Sequence, residues 1–144
     1  MNNKKRILLL VPVFTLLSII CNGQQSGTLI FRITGIETSE GVAIVNLFRA
    51  QDDLPKMPFK TLCASIQNCV ASVSFAGIPT GDYAAIAYHD KNSNGTLDHR
   101  MGFPNEPMGF SNNWNLSLFS GMPTFNKLKF RFNSGNAVVE IAVD

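Results

Sequence analysis

The chain has 144 residues, with twelve Lys and Arg against ten Asp and Glu and a formal net charge of +2. Three of the twelve basic residues, Lys4, Lys5 and Arg6, head an N-terminal segment that reads as an address, so the remainder carries nine against ten, a formal −1. No basic stripe remains, which argues against nucleic acid or anionic lipid as a partner.

Behind the basic start, Ile7 to Ile20 form an apolar run broken only by Pro12, Thr15 and Ser18. A membrane span needs about 20 apolar residues, whereas a shorter run fits the apolar core of a signal peptide. Cys21, Asn22 and Gly23 place small residues ahead of Gln24, so residues 1–23 are expected to be a signal peptide cleaved after Gly23. Acylation of Cys21 as a lipoprotein anchor is the alternative, disfavoured because Ile20 stands where such signals want a small residue. Residues 24–144 suit a single domain with its own core.

Short strands are expected from there on. Leu29, Phe31 and Ile33 share one face of a strand over 27–34. Val42 to Phe48 is a β-branched run, and residues 70–75 alternate. Residues 83–89 are dense in Ala and Ile, the pattern of a strand covered on both faces. Residues 127–132 alternate with Leu128, Phe130 and Phe132 inward, and residues 137–143 carry Val139, Ile141 and Val143 on one face. Asp52 to Leu62, with Pro55 and Pro58, reads as a polar loop. Pro79 and Gly81 make a turn into the strand at Tyr83. Six or seven strands with frequent turns and no useful helical period predict an all-β chain, a β-sandwich of immunoglobulin-like or prealbumin-like type. Cys63 and Cys69, the two cysteines outside the leader, are expected to form a disulfide in an exported chain; two buried thiols are the alternative. Their spacing is no zinc signature.

The segment from Asp90 to Phe125 has little regular pattern, and loops of that length are usually functional or tied down. Within it, Asp90, Asn92, Asn94, Thr96 and Asp98 set oxygen donors at alternating positions, with Gly95 allowing a sharp turn. Calcium wants six to eight oxygens, and this spacing matches the first nine positions of an EF-hand-type loop. The twelfth position, where a bidentate Glu belongs, is Met101, and neither flank reads as helical. Glu106 is then the candidate third carboxylate, and the affinity expected is modest, on the order of 10⁻⁴–10⁻³ M. A plain turn without metal is the competing reading.

His89 and His99 flank the loop and raise a transition-metal or catalytic alternative, which needs further ligands to converge. Beyond them, Phe103, Phe110 and Trp114 sit in a stretch rich in Gly and Pro that suggests an ordered loop. They either line a binding site or cap one end of the sandwich. Asn115-Leu116-Ser117 matches a glycosylation sequon, discounted behind a bacterial-looking leader.

Taken together, His89 to Asp98, then Gly102-Phe103-Pro104-Asn105-Glu106, Gly109-Phe110-Ser111-Asn112-Asn113 and Pro123-Thr124-Phe125 resemble an exported bacterial family catalogued as domain of unknown function 2141. The resemblance runs across the mature chain, including Pro79, Gly81 and Tyr83, and implies no particular activity. A looser similarity to prealbumin-like and adhesin modules bears on the fold alone. The leading expectation is a calcium-stabilised, non-enzymatic binding or structural module of the periplasm, cell surface or secreted fraction, with a protein or glycan as ligand. The alternative is a metal-dependent, hydrolase-like enzyme using His89, Asp90 and Glu106. The Gly-x-Ser-x-Gly, His-Glu-x-x-His and phosphate-loop patterns do not occur. A third reading is a structural subunit that pairs through an open strand edge.

Overall fold

The structure, a computed structural model, describes residues 25–117 and 119–144; the expected leader, with Cys21, lies outside them. Among the described residues there are ten strands, one short α-helix and one 3-10 turn (Ser111–Asn113): β1 (Ser26–Thr34), β2 (Val42–Phe48), β3 (Lys60–Ser65), β4 (Ala71–Pro79), β5 (Gly81–Asp90), β6 (His99–Arg100), β7 (Phe103–Pro104), β8 (Met108–Phe110), α1 (Phe125–Leu128), β9 (Phe130–Phe132) and β10 (Gly135–Ala142). The chain is all-β. No helix among the described residues is long and apolar enough to cross a membrane.

Two sheets face one another. The smaller has the order β10-β1-β4, and the larger β3-β2-β5-β8 with β9 also on β5. Period-two alternation drives their contact. Leu29, Phe31 and Ile33 of β1, Val73 and Phe75 of β4 and Ile141 of β10 meet Ala43, Val45 and Leu47 of β2 and Tyr83, Ala85 and Ala87 of β5 in one buried cluster. Phe31 anchors it, with edge-to-face contacts to Phe75 at 5.7 Å and Phe130 at 6.1 Å.

The alternate residues of β5 need a second cover, because every position from Tyr83 to Asp90 is buried. A third layer supplies it: Ala84, Ile86, Phe48, Phe110 and Leu128 form a separate buried cluster, with Trp114, Phe125, Leu54 and Met108 packed against it. The small side chains of β5 let both layers approach closely. The expectation of a strand covered on both faces therefore holds.

Two expectations about elements are corrected. Residues 127–132 are not one strand. Lys127 and Leu128 donate N–H groups to the Thr124 carbonyl at 3.0 and 3.2 Å, closing a single helical turn before β9 begins. Leu128 then fills the outer cluster while Phe132 fills the main core. In addition, β3 occupies residues expected to continue a loop, and it is solvent-exposed along nearly its whole length. An edge strand of that kind carries no alternation to detect.

The turn leading to β3 is pinned by Asp52, which accepts N–H donors from the Arg49 backbone at 2.7 Å and from its guanidinium at 2.9 and 3.2 Å. The Arg49 guanidinium also stacks 4.0 Å from the Phe59 ring centroid. Those hydrogen bonds hold the Asp52 carboxyl below its usual value. A carboxylate lowered in this way contributes fully above the ordinary aspartate value of 3.8 and loses its contribution as pH falls through the lower folded-state value. Asp52→Asn is expected to cost up to about 1 kcal/mol at neutral pH, Arg49 being partly solvated. The gap between the two urea midpoints should close below the ordinary aspartate range, and a gap that persists there would assign the effect to packing.

Candidate functional site

The site grows from the end of β5. Side chains of Tyr83, Ala85 and Ala87 enter the main core and those of Ala84 and Ile86 the outer cluster, so alternation sends His89 to the interior and Asp90 to the outer side. Both are 0% exposed.

Asp90 organises the loop that follows. Its Oδ1 accepts the Asn94 N–H at 3.2 Å and its Oδ2 the Gly95 N–H at 2.7 Å. Asn92 Oδ1 accepts the Asn94 N–H at 3.0 Å. Asn94 Oδ1 accepts the Thr96 N–H and the Thr96 hydroxyl, both at 2.8 Å. Asp98 receives the two amide groups, Asn92 Nδ2 at 2.8 Å and Asn94 Nδ2 at 3.0 Å. Asp90, Asn92, Asn94, Thr96 and Asp98 are thus gathered into one hydrogen-bonded network.

Glu106 clamps the network from outside the loop. It is 7% exposed, and its two oxygens accept the Lys91 and Asp98 N–H groups, each at 3.1 Å. One carboxylate therefore spans both ends of the loop. The Asn105 N–H adds a bond to the Asp98 carbonyl at 2.8 Å, which ties the loop to the base of the β6–β7 hairpin. Met101 sits at the tip of that hairpin with its side chain 93% exposed, and Phe103 beside it is 65% exposed.

Two buried carboxylates, Asp90 and Glu106, and the half-buried Asp98 share this small volume. The ion pairs among the described residues, Arg49–Asp52 and Arg131–Asp82, lie elsewhere. The field of the acids is felt nearby: burial pushes the Tyr88 hydroxyl above its usual value, and the charges of Asp90 and Glu106 push it further. Among the described residues no group of three or more His, Cys, Asp or Glu side chains is arranged to hold a metal ion.

The histidines have separate roles. His89 Nε2 lies 2.7 Å from the Glu40 carbonyl, which can only accept, so this nitrogen carries a proton. The ring ties β5 to the turn before β2, and its Nδ1 is buried without a partner among the described residues. His99 is solvent-exposed on β6, opposite Pro104.

The three aromatic candidates are divided. Phe110 is 5% exposed and stacks edge-to-face on half-buried Trp114, with ring centroids 4.7 Å apart. Both cover the outer face of β5, leaving Phe103 as the member of the set that faces solvent. Two shallow surface grooves, around Arg49, Met57 and Phe59 and around residues 64–72, include none of these residues.

The expected Cys63–Cys69 bridge is corrected: both are free thiols. Ala64 packs on the main core, so its strand neighbour Cys63, opposite Ile44, faces the other way. Cys69 lies in the β3–β4 turn, packed against the main core with its thiol 3.7 Å from the Glu37 carbonyl. Neighbours in sequence, they stand on opposite sides of the sheet edge.

Sequence reasoning passed over Ser111, which is 0% exposed. Residues 81–83 of β5 pair with β9, and residues 86–88 pair with β8. Ala85 falls between the two partners, and Ser111 Oγ accepts its N–H at 2.8 Å while donating to the Leu128 carbonyl at 2.6 Å. Asn112 and Asn113 follow in left-handed backbone conformations, which Asn tolerates better than most residues. The only available signal was the placing of Ser before two Asn residues.

An all-β sandwich with a third layer, closed over a self-bonded Asp/Asn loop, is the class of protein that these features define. The chain belongs to the family described as "Uncharacterized protein conserved in bacteria (DUF2141)", whose model matches residues 31–140, from β1 to β10 and through the whole loop. No curated protein and no solved structure matches the chain.

Proposed function

We propose that this chain is an exported β-sandwich module of the cell envelope or secreted fraction, stabilised by calcium and used for binding or structural support. One observation carries the calcium reading: Asp90 and Glu106 are buried carboxylates beside Asp98, and neither is ion-paired to Lys or Arg among the described residues. Buried charges are normally paired or engaged by a cation. Calcium takes amide and main-chain oxygens as well as carboxylates, so Asp90, Asn92, Asn94, Asp98 and the Thr96 carbonyl would hold it, with Glu106 closing the loop behind. The ion would supply charge neutralisation and rigidity. The braced β6–β7 hairpin would present Phe103 to a protein or glycan.

At the modest affinity expected, 10 mM calcium should stabilise the fold by about 1–3 kcal/mol, several degrees in Tm. Asp90→Ala is expected to abolish that rise. Asp98→Asn, which keeps the shape of the side chain, should move the response to higher calcium. A melting temperature indifferent to calcium, or an undiminished rise in both variants, would overturn the proposal. Fractionation of cells expressing the full chain tests export.

A further inference from the structure

The loop holds one sequence with reactivity of its own. Asn94-Gly95 lies in an exposed turn, and no atom beyond its two chain neighbours comes within 4 Å of where a side chain at Gly95 would begin. An Asn followed by Gly can cyclise. The Gly95 main-chain nitrogen bonds to Asn94 Cγ, the Cγ–Nδ2 bond breaks, and ammonia leaves with the proton from the Gly95 N–H. Water then opens the cyclic imide to aspartate or isoaspartate, with no oxidant or reductant involved.

The folded loop opposes both halves of the first step. The attacking nitrogen must lose its proton, yet its N–H is held 2.7 Å from the carboxylate of buried Asp90, which disfavours negative charge developing there. The side chain must turn toward that nitrogen, yet it is anchored three times: its Oδ1 accepts from the Thr96 N–H and hydroxyl at 2.8 Å, and its Nδ2 donates to Asp98 at 3.0 Å. A near-attack geometry is reached only when these contacts open.

We propose that Asn94-Gly95 is a modification site locked by Asp90, Thr96 and Asp98, so that the amide becomes a carboxylate slowly in the closed loop and rapidly once the loop opens. The product cannot re-form the lock. It replaces the donor facing Asp98 with an acceptor of the same charge, and conversion leaves a permanent record that the loop has opened. This inference does not rest on calcium.

Peptide mapping by mass spectrometry tests it on the full chain, incubated at mildly alkaline pH with a chelator present. Asn94 in the folded protein should convert at least about tenfold more slowly than in the same chain unfolded in urea, equivalent to about 1.4 kcal/mol of loop opening. Asp90→Ala should bring the folded rate close to the unfolded one. Should that variant fail to fold, Asp98→Asn, which removes one charged anchor, is expected to give an intermediate rate. Equal rates in the folded and unfolded wild type would overturn the proposal, as would an Asp90→Ala or a folded Asp98→Asn protein as slow as the wild type.

Discussion

Replacing Gly109 by Ala is expected to destabilise the protein by about 3 kcal/mol or more, roughly 10 °C in Tm. A Cβ at this position would stand 2.0 Å from the Ala142 carbonyl oxygen and 2.7 Å from Ile141 Cγ2. The nearest of these atoms is main chain, so a side-chain rotation cannot make the room. Beside it, Met108 and Asp144 exchange N–H···O bonds at 3.2 and 3.3 Å. These bonds form the seam at which the larger sheet meets the end of the smaller one. Forcing the seam apart loosens both the core and the base of the acidic loop, because the His89 N–H is held by the Pro107 carbonyl at 2.9 Å in the same place. Urea unfolding measures the loss. A cost below about 1 kcal/mol would show that the two backbones separate freely and that the seam matters little.

The second large effect is expected from Ser111→Ala, at about 2–4 kcal/mol. The substitution removes few atoms, but it strips the partner from the Ala85 N–H and from the Leu128 carbonyl. Each buried group left unsatisfied costs about 1–3 kcal/mol. A structural signature separates this cause from ordinary loss of packing: amide hydrogen exchange should accelerate at Ala85 ahead of Tyr83 and Ile86, which pair with β9 and β8 on that side of β5. Uniform acceleration along β5 would instead mean that Ser111 acts only through global stability.

The strands with one or two well-covered faces were legible in the sequence, and the reason is visible in Phe31, Ile86 and Ile141. The burial of Phe31 and Ile141 follows from local alternation and that of Ile86 from an unbroken apolar run, and a single stretch of chain displays either pattern. β3 was not legible, because an exposed edge imposes no pattern on Lys60 to Ser65. The break between Leu128 and Phe130 was hidden for a different reason. Both residues are covered, but by different clusters, and alternation reports covering without saying by what. The acidic loop was legible as a set of residues and less so as chemistry. Spacing placed Asp90, Asn92, Asn94 and Asp98 together, whereas their first partners, the main-chain N–H groups of Asn94, Gly95 and Thr96, follow from how tightly the turn closes. Glu106 could be suspected from its charge. Ser111 could not, because its burial depends on a gap between two partners of β5 that lie far apart in sequence. The cysteines show the same limit: nearness along the chain does not determine which side of a sheet edge each thiol faces.

The pairing of β1 with β10 sets the order in which the molecule can assemble. Gly27 to Thr34 lie in parallel register with Gly135 to Ala142, so β1 lacks one of its two neighbours until nearly all of the chain is available. The β4–β5 turn is local, and the β2–β3 pair spans only the Arg49–Phe59 loop; both can form early. Closing β1 against β10 must bring distant segments together, a slow step for a topology rich in non-local contacts. Until then Leu29, Phe31 and Ile33 lack their full cover. A chain that folds in this order keeps the apolar face of β1 open while it is being made, and is exposed to aggregation until β10 arrives to close it.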